Sequence, residues 1–430
     1  MQTFSIPYYK DHVTLNVPDE NLKAAIYPKA ESYQAALPEA ALVREALEHP
    51  IGSEKLCELA KGKKKITIVT SDHTRPVPSK ITLPILLAEL RKGNPEAEIT
   101  ILIATGLHRE TTQAEQRQMF GDKIVDEERI VVNNAFRKED FDFVCKLPSE
   151  AELWVNREAL TCDLLITEGF IEPHFFAGFS GGRKSILPGI SGRETIFHNH
   201  AFSLDAAQLR SNPAIGNGVL KGNPLHEDMC EAAGLVKNLF IVNLVMNAQM
   251  QLAAILSGHY LTSWEAACRM VDRIYQVDVP EKADVIVASC GGFPKDISLY
   301  QGTKTIDNIE SGLKPGGTLI LIIEAREGGG PAEYFDWAKD LVAGTIERRL
   351  REHFTVAGYI FFLNCEQAQR YNILLYSSIA PEDVAPMGIK AFSDVNALLD
   401  AAQLEGKSIY VIPNGSTVIP HVKEASKHEA

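Results

Sequence analysis

The sequence predicts an α/β protein of two α/β domains in series, with mostly parallel sheets and an active site in the interdomain cleft. Three observations predict it. Continuous apolar runs rich in β-branched residues recur along the chain, each bounded by turn signals. Between them lie stretches whose apolar residues repeat at helical spacing. The alternation pauses near residue 275 and restarts, which splits a chain of 430 residues into two blocks of ordinary domain size.

In the first block the strand runs are Lys65–Thr70 (KITIVT), Ile99–Ala104 (ITILIA), Ile130–Val132, Leu164–Thr167 and Phe240–Val245, with a helix over Ile81–Lys92. Val277–Lys282 (VDVPEK) reads as a linker, because a proline and charges separate two apolar stretches. The second block begins with a strand at Ala283–Ser289 (ADVIVAS) and a helix over Thr303–Leu313. A strand at Thr318–Ile323, a helical run from Trp337 to His353, and strands at Tyr359–Leu363, Ile373–Tyr376 and Ser408–Ile412 complete it. The expected domains are therefore 1–275 and 276–413, with the polar tail 414–430 returning to the first.

A net charge of −13 argues against a sequence-independent hold on nucleic acid, which needs lysine and arginine in excess on one face. A small anionic substrate held by a few local cations stays open. No run of eighteen apolar residues occurs, and the opening MQTFSIPYYKDHVTL lacks a basic start followed by an apolar stretch. We therefore expect a soluble cytoplasmic protein with no membrane partner. Seven scattered cysteines with no CxxC pair fit a reduced compartment and indicate neither a disulfide framework nor a zinc ribbon.

In open α/β sheets ligands collect beyond the carboxyl ends of the strands, so the residues just after each strand carry the functional reading. Ser71–Lys80 (SDHTRPVPSK) follows the first strand. There Asp72, His73, Thr74 and Arg75 offer an acceptor, an imidazole, a hydroxyl and a guanidinium on a turn stiffened by Pro76 and Pro78. Such a turn could hold a ribose, a phosphate or a carboxylate, or Asp72 could simply cap the next helix. Ala104–Glu110 (ATGLHRE) follows the second strand, where Gly106 frees the turn and His108 projects from it.

The densest segment is Gly169–His200, GFIEPHFFAGFSGGRKSILPGISGRETIFHNH, with three histidines, one lysine and a cluster of glycines. Glycines let backbone N–H groups approach an anion, and a lysine can be a phosphate contact or a covalent nucleophile. The segment fits neither G-x-x-x-x-G-K-[ST] nor G-x-G-x-x-G, so a nucleoside triphosphatase or dinucleotide enzyme is poorly supported. His198 and His200 point to different faces of a helix or to one face of a strand, and only one of them need be functional. In the second block Tyr300, Gln301 and Lys304 of LYQGTKTIDN could reach the cleft as hydrogen-bond donors and a cation, or merely start a solvated helix.

The sets SDHTRP, ATGLHR, EPHFFAGFSGGRKS, HNH and YQGTK occur in this order over nearly the whole chain. Together they resemble the lactate racemase family, the racemases that depend on a nickel-pincer nucleotide. The resemblance implies a Ni(II)-pyridinium-3,5-bisthiocarboxylic acid mononucleotide, attached covalently to Lys184 as a thioamide, with His200 completing the nickel coordination. It implies His108 and His174 as alternating general base and acid. Asp72, His73, Thr74 and Arg75 become cofactor contacts, Arg75 also meeting substrate, and Tyr300, Gln301 and Lys304 become substrate-binding positions. The implied activity is interconversion of D- and L-lactate by proton-coupled hydride transfer through pyruvate, with separate cofactor-biosynthesis proteins loading the enzyme.

The chemistry makes sense of these residue types. A carbon beside a carboxylate is barely acidic, so direct proton removal is very costly. Losing hydride while a histidine takes the hydroxyl proton gives a planar keto acid that can be reduced from either face, which calls for an acid/base on each flank. Phe175, Phe176 and Tyr300 leave room for a small aliphatic group, so lactate is the expected 2-hydroxy acid, with malate or a longer acid as the alternative. A reading of a different class is a zinc hydrolase using His174, His198 and His200, which leaves Lys184 and the glycines without work.

Overall fold

The computed structural model describes residues 1–29, 33, 35–75, 77–247 and 251–423. Within these, the chain divides into two compact units. One takes in Tyr33–Ser203 and Pro213–Arg273, the other Met1–Ser32, Leu204–Asn212 and Ile274–Ala430. Each is built around one six-stranded sheet.

The sheet of the first unit runs in the order Leu252–His259, Leu239–Met246, Leu164–Phe170, Lys65–Ser71, Glu98–Ala104, Arg129–Val132. All neighbours are parallel except the edge strand Leu252–His259. Lys65–Ser71 and Glu98–Ala104 are buried over five consecutive residues and Leu164–Phe170 over all seven. That is the pattern of strands covered on both faces, as the unbroken apolar runs predict. Helix Ser79–Gly93 lays Leu83, Leu86, Leu87 and Leu90 against this sheet at helical spacing. From Lys65–Ser71 the chain moves outward through two strands and then returns to place Leu164–Phe170 on the other side. The strand order therefore reverses between Lys65–Ser71 and Leu164–Phe170, the place where open sheets form a ligand crevice.

The sheet of the second unit is parallel throughout, in the order Lys390–Phe392, Asn372–Tyr376, Leu313–Ile322, Ala283–Ser289, Ile409–Ile412, Leu22–Ala25. The α/β class with mostly parallel sheets thus holds for both units. The N-terminus departs from the expected 1–275 grouping. Hairpin Gln2–Tyr8 and Asp11–Val17 buries Phe4, Ile6, Val13, Leu15 and Val17 in one core with Val285, Ile320 and Val411, and Leu22–Ala25 adds an edge strand to the same sheet.

The linker and tail depart as well. Gln276–Val279 is a strand that pairs in parallel with Ile419–Val422, while Asn308 Nδ2 donates to the Gly415 and Ser416 carbonyls. The tail is thus held beside the second sheet rather than returning to the first, and its residues 424–430 lie outside the described ones. Tyr359–Leu363 is not a strand but the middle of helix Val356–Arg370. That helix is buried nearly all round, so its apolar run carries no period to separate it from a buried strand. The expected helix from Trp337 to His353 breaks into Ala338–Val342 and Ile346–Glu352.

Candidate active site

The three loaded segments all sit at the carboxyl ends of strands in the first unit. After Lys65–Ser71, Asp72 is 1% exposed. Its Oδ1 accepts from Thr74 N at 3.0 Å and Thr74 Oγ1 at 2.6 Å, folding the loop back on itself. Helix Ser79–Gly93 takes no side-chain cap, so the capping role open to Asp72 does not apply. Instead Asp72 Oδ2 lies 2.6 Å from His108 Nδ1. Arg75 Nη1 donates to Thr74 Oγ1 at 3.0 Å, and His73 Nδ1 lies 3.3 Å from Thr111 Oγ1. Pro76 lies outside the described residues. A cavity of about 360 Å³ opens between this loop and helix Gln113–Phe120, lined by His73, Pro78, Lys80 and Glu115 among others.

His108 stands on the turn after Glu98–Ala104, where Gly106 takes φ of 53° and donates its N–H to the Gly189 carbonyl. The positive φ justifies glycine there. His108 keeps 44% of its side chain exposed while its carboxylate partner is buried. Burial by itself drives the Asp72 carboxyl up; the hydrogen bond and charge of His108 and the two Thr74 donors outweigh it, leaving Asp72 below its usual value. An ionised carboxylate only accepts, so His108 Nδ1 carries the proton and Nε2 is the basic nitrogen.

The densest segment folds around one ring. A short hairpin pairs Pro173–His174 with Gly178–Phe179, and a tight turn Gly182–Ser185 follows. Gly182 has φ of 51°, and a Cβ there would come 2.4 Å from Trp264. The ring of Phe176 is 4.5 Å from the His174 ring and 5.0 Å from the His200 ring, and the Lys184 amine lies 5.3 Å from its centre. Phe175 stacks on the other neighbour of this group, His174, at 4.8 Å. The amides of Phe176 and Ala177 both donate to His174 Nδ1 at 3.4 Å, which places its own proton on Nε2. The two histidines thus take opposite tautomers, with Nε2 an acceptor in His108 and a donor in His174.

His200, 5% exposed, is the member of the HNH set that joins this group. Burial, and then the charge of Lys184, push its pKa down to about 3, so it presents a neutral imidazole. His198, one of the exposed residues of helix Arg193–Ala201, lies 3.1 Å from the Ser149 carbonyl through Nε2. Among the described residues no group of three or more His, Cys, Asp or Glu is placed to hold a metal ion. His174, His198 and His200 do not form such a group.

Sequence reading missed the support beneath this group. Arg183, 1% exposed, donates to the Ala177 and Phe179 carbonyls at 2.6 and 3.0 Å and to His226 Nδ1 at 3.0 Å, with its guanidinium 3.9 Å from the Trp264 ring centre. No carboxylate pairs with it among the described residues. One side chain therefore ties the hairpin of His174 to the turn of Lys184. Its only sequence signal was an arginine beside the lysine at the end of the glycine cluster. Arg183→Met should keep the stem but strand two carbonyls and lose the ring contact, costing about 2–4 kcal/mol in denaturant unfolding.

In the second unit Lys304 Nζ lies 3.0 Å from Gln301 Oε1 and 4.3 Å from the centre of the Tyr300 ring, so these three form one local cluster. Leu299–Gly302 and Lys304–Ile309 are the short helices that present them.

Residues 8–211 match the model of the lactate racemase N-terminal domain, and residues 279–420 that of the C-terminal domain. The chain belongs to the lactate racemase family. It is 42% identical to the lactate racemase of Thermoanaerobacterium thermosaccharolyticum, covering 79% of this chain and 78% of that protein. The lactate racemase of Lactiplantibacillus plantarum is 39% identical over 78% of each chain. The solved lactate racemase apoprotein from T. thermosaccharolyticum superposes with a TM-score of 0.88 at 36% identity, covering 98% of this chain and all of the other. A Thermotoga maritima protein shares the fold alone, at a TM-score of 0.61 and 19% identity. The chain is accordingly an enzyme of the isomerase class, a racemase. No helix among its described residues is long and apolar enough to cross a membrane, and all seven cysteines are free thiols.

Proposed function

We propose that the protein racemises lactate with a nickel-pincer nucleotide tethered to Lys184. The observation that carries this reading is the shared ring of Phe176, around which a lysine amine and a neutral imidazole converge beside the acid/base His174. An amine suits the covalent anchor, and a neutral imidazole suits nickel already held by carbon and sulfur. The lack of a three-ligand protein cluster among the described residues is compatible with a metal that its own organic ligand delivers. When bound, the cofactor supplies the hydride acceptor.

The protein's residues do the rest. Arg75 binds the substrate carboxylate, since a planar guanidinium holds a carboxylate in two bonds. Tyr300, Gln301 and Lys304 are the substrate-binding residues of the second unit. His108, fixed by Asp72, takes the hydroxyl proton from one enantiomer through Nε2. His174 is the acid/base group for the mirror-image enantiomer: in its imidazolium form it returns a proton to that product, and the roles exchange in the reverse direction. Asp72, His73 and Thr74 line the cofactor side of the loop. Cofactor-biosynthesis proteins load the enzyme in the cytoplasm.

Loaded protein given L-lactate should drive the optical rotation to zero, with a primary isotope effect when the C2 hydrogen is deuterium. A rotation that stays constant from either enantiomer overturns the reading. Arg75→Ala should raise KM roughly 10- to 100-fold, the worth of one charge-assisted contact, and also slow turnover. Steady-state kinetics that match the unaltered enzyme would take Arg75 out of the site.

A further inference from the structure

The loop that bears Asp72, His73, Thr74 and Arg75 is fastened at both ends to one buried carboxyl that the reaction does not use. Glu168, with no exposed surface, sits on Leu164–Phe170, the strand beside Lys65–Ser71 at the reversal of strand order. Its Oε1 accepts from Thr70 Oγ1 at 2.6 Å, on the strand entering the loop, and from Ser79 Oγ at 2.5 Å, on the helix leaving it. Oε2 accepts from Thr82 one turn further on, and Thr70 Oγ1 lies 3.1 Å from Ser79 Oγ.

Fully burying a carboxyl group costs several kcal/mol. Leucine in that place would fill the same space without the cost. What an apolar residue cannot do is fix the separation of residues 70 and 79. Those are the two points from which the intervening loop is hung, and the reach of Asp72 to His108 follows from where they lie.

We propose that Glu168 is a positioning residue that sets the Asp72–Arg75 turn so that Asp72 meets His108. It touches neither substrate nor cofactor. The proposal rests on the assigned roles of His108 and Arg75 for its effect on turnover, but the geometry it concerns exists without either ligand.

The test compares Glu168→Gln with Glu168→Leu in cofactor-free and loaded protein. Glutamine keeps Oε1 for Thr70 and Ser79, and Thr82 can turn its hydroxyl toward the Pro78 carbonyl, 3.5 Å away. The readout is the low-field proton resonance of the His108–Asp72 hydrogen bond, identified by its loss in His108→Gln. Glu168→Gln should retain the resonance and turn over within about threefold of the unaltered enzyme. Glu168→Leu should lose the resonance and at least about 10-fold in kcat. Should that variant fail to fold, Thr70→Val with Ser79→Ala removes the same two tethers and should also lose the resonance.

A resonance unchanged in Glu168→Leu or in the double variant, or lost equally in Glu168→Gln, overturns the proposal. A lowered Tm with resonance and kcat per folded molecule intact does the same, leaving Glu168 a purely structural residue. Because the resonance needs no turnover, failure of the unaltered protein to racemise lactate is a separate outcome.

Discussion

Lys184→Ala should yield a folded protein that carries no covalent adduct and has lost racemisation by at least about 10³-fold, the scale on which one member of a catalytic unit is missed. Intact-protein mass reads the first result and polarimetry the second. The fold survives because the Lys184 side chain is only partly buried and its turn is held from below by Arg183 and by Trp264, whose Nε1 donates to the Ser180 carbonyl. Lys184→Arg separates anchoring from charge. Arginine keeps a cation near Phe176 and His200, yet a guanidinium is no nucleophile at working pH. It should therefore lack the adduct just as alanine does. Adduct mass in the alanine variant would place the covalent bond elsewhere, and full activity in the arginine variant would make the tether dispensable.

The parts of the fold legible in the sequence are those whose local pattern is also their tertiary role. KITIVT, ITILIA and ADVIVAS are buried on both faces, so their unbroken apolar character follows directly from a parallel sheet. The hairpin Gln2–Tyr8 and Asp11–Val17 had a signal too, since Val13, Leu15 and Val17 alternate with polar residues, but nothing local says that its partner core lies some 270 residues on. YIFFL failed for the opposite reason: a helix buried on every side erases the period that would reveal it.

The site divides the same way. Reactive types just after strands were visible as a list, because topology alone places strand ends at a crevice. Their pairing was not visible. Asp72 and His108 are 36 residues apart, and the choice between His198 and His200 depends on which helix face meets Phe176. Arg183 and Glu168 were least legible, because a buried charge and an exposed one are the same letter.

Asp72→Asn should cut kcat by about 10²- to 10⁴-fold while leaving KM nearly unchanged. The asparagine Oδ1 can keep both Thr74 bonds, so the loop remains folded and Arg75 stays in place. What changes is the group facing His108. A carboxylate accepts from Nδ1–H, whereas the carboxamide NH₂ can only donate, which moves the imidazole proton to Nε2 and removes the base. The same substitution has a signature in stability. The Asp72 carboxyl lies below its ordinary value in the folded protein, so near and below that ordinary value the unfolded chain binds more protons than the folded one. The stabilisation is therefore complete at neutral pH and drains away as pH falls from about 4 through the lowered folded value. Unfolding free energies of the two proteins should differ most near neutrality and converge under acid. A difference that instead grows on acidification would mean that Asp72 is not held ionised by His108, and the fixed tautomer on which the base depends would lose its support.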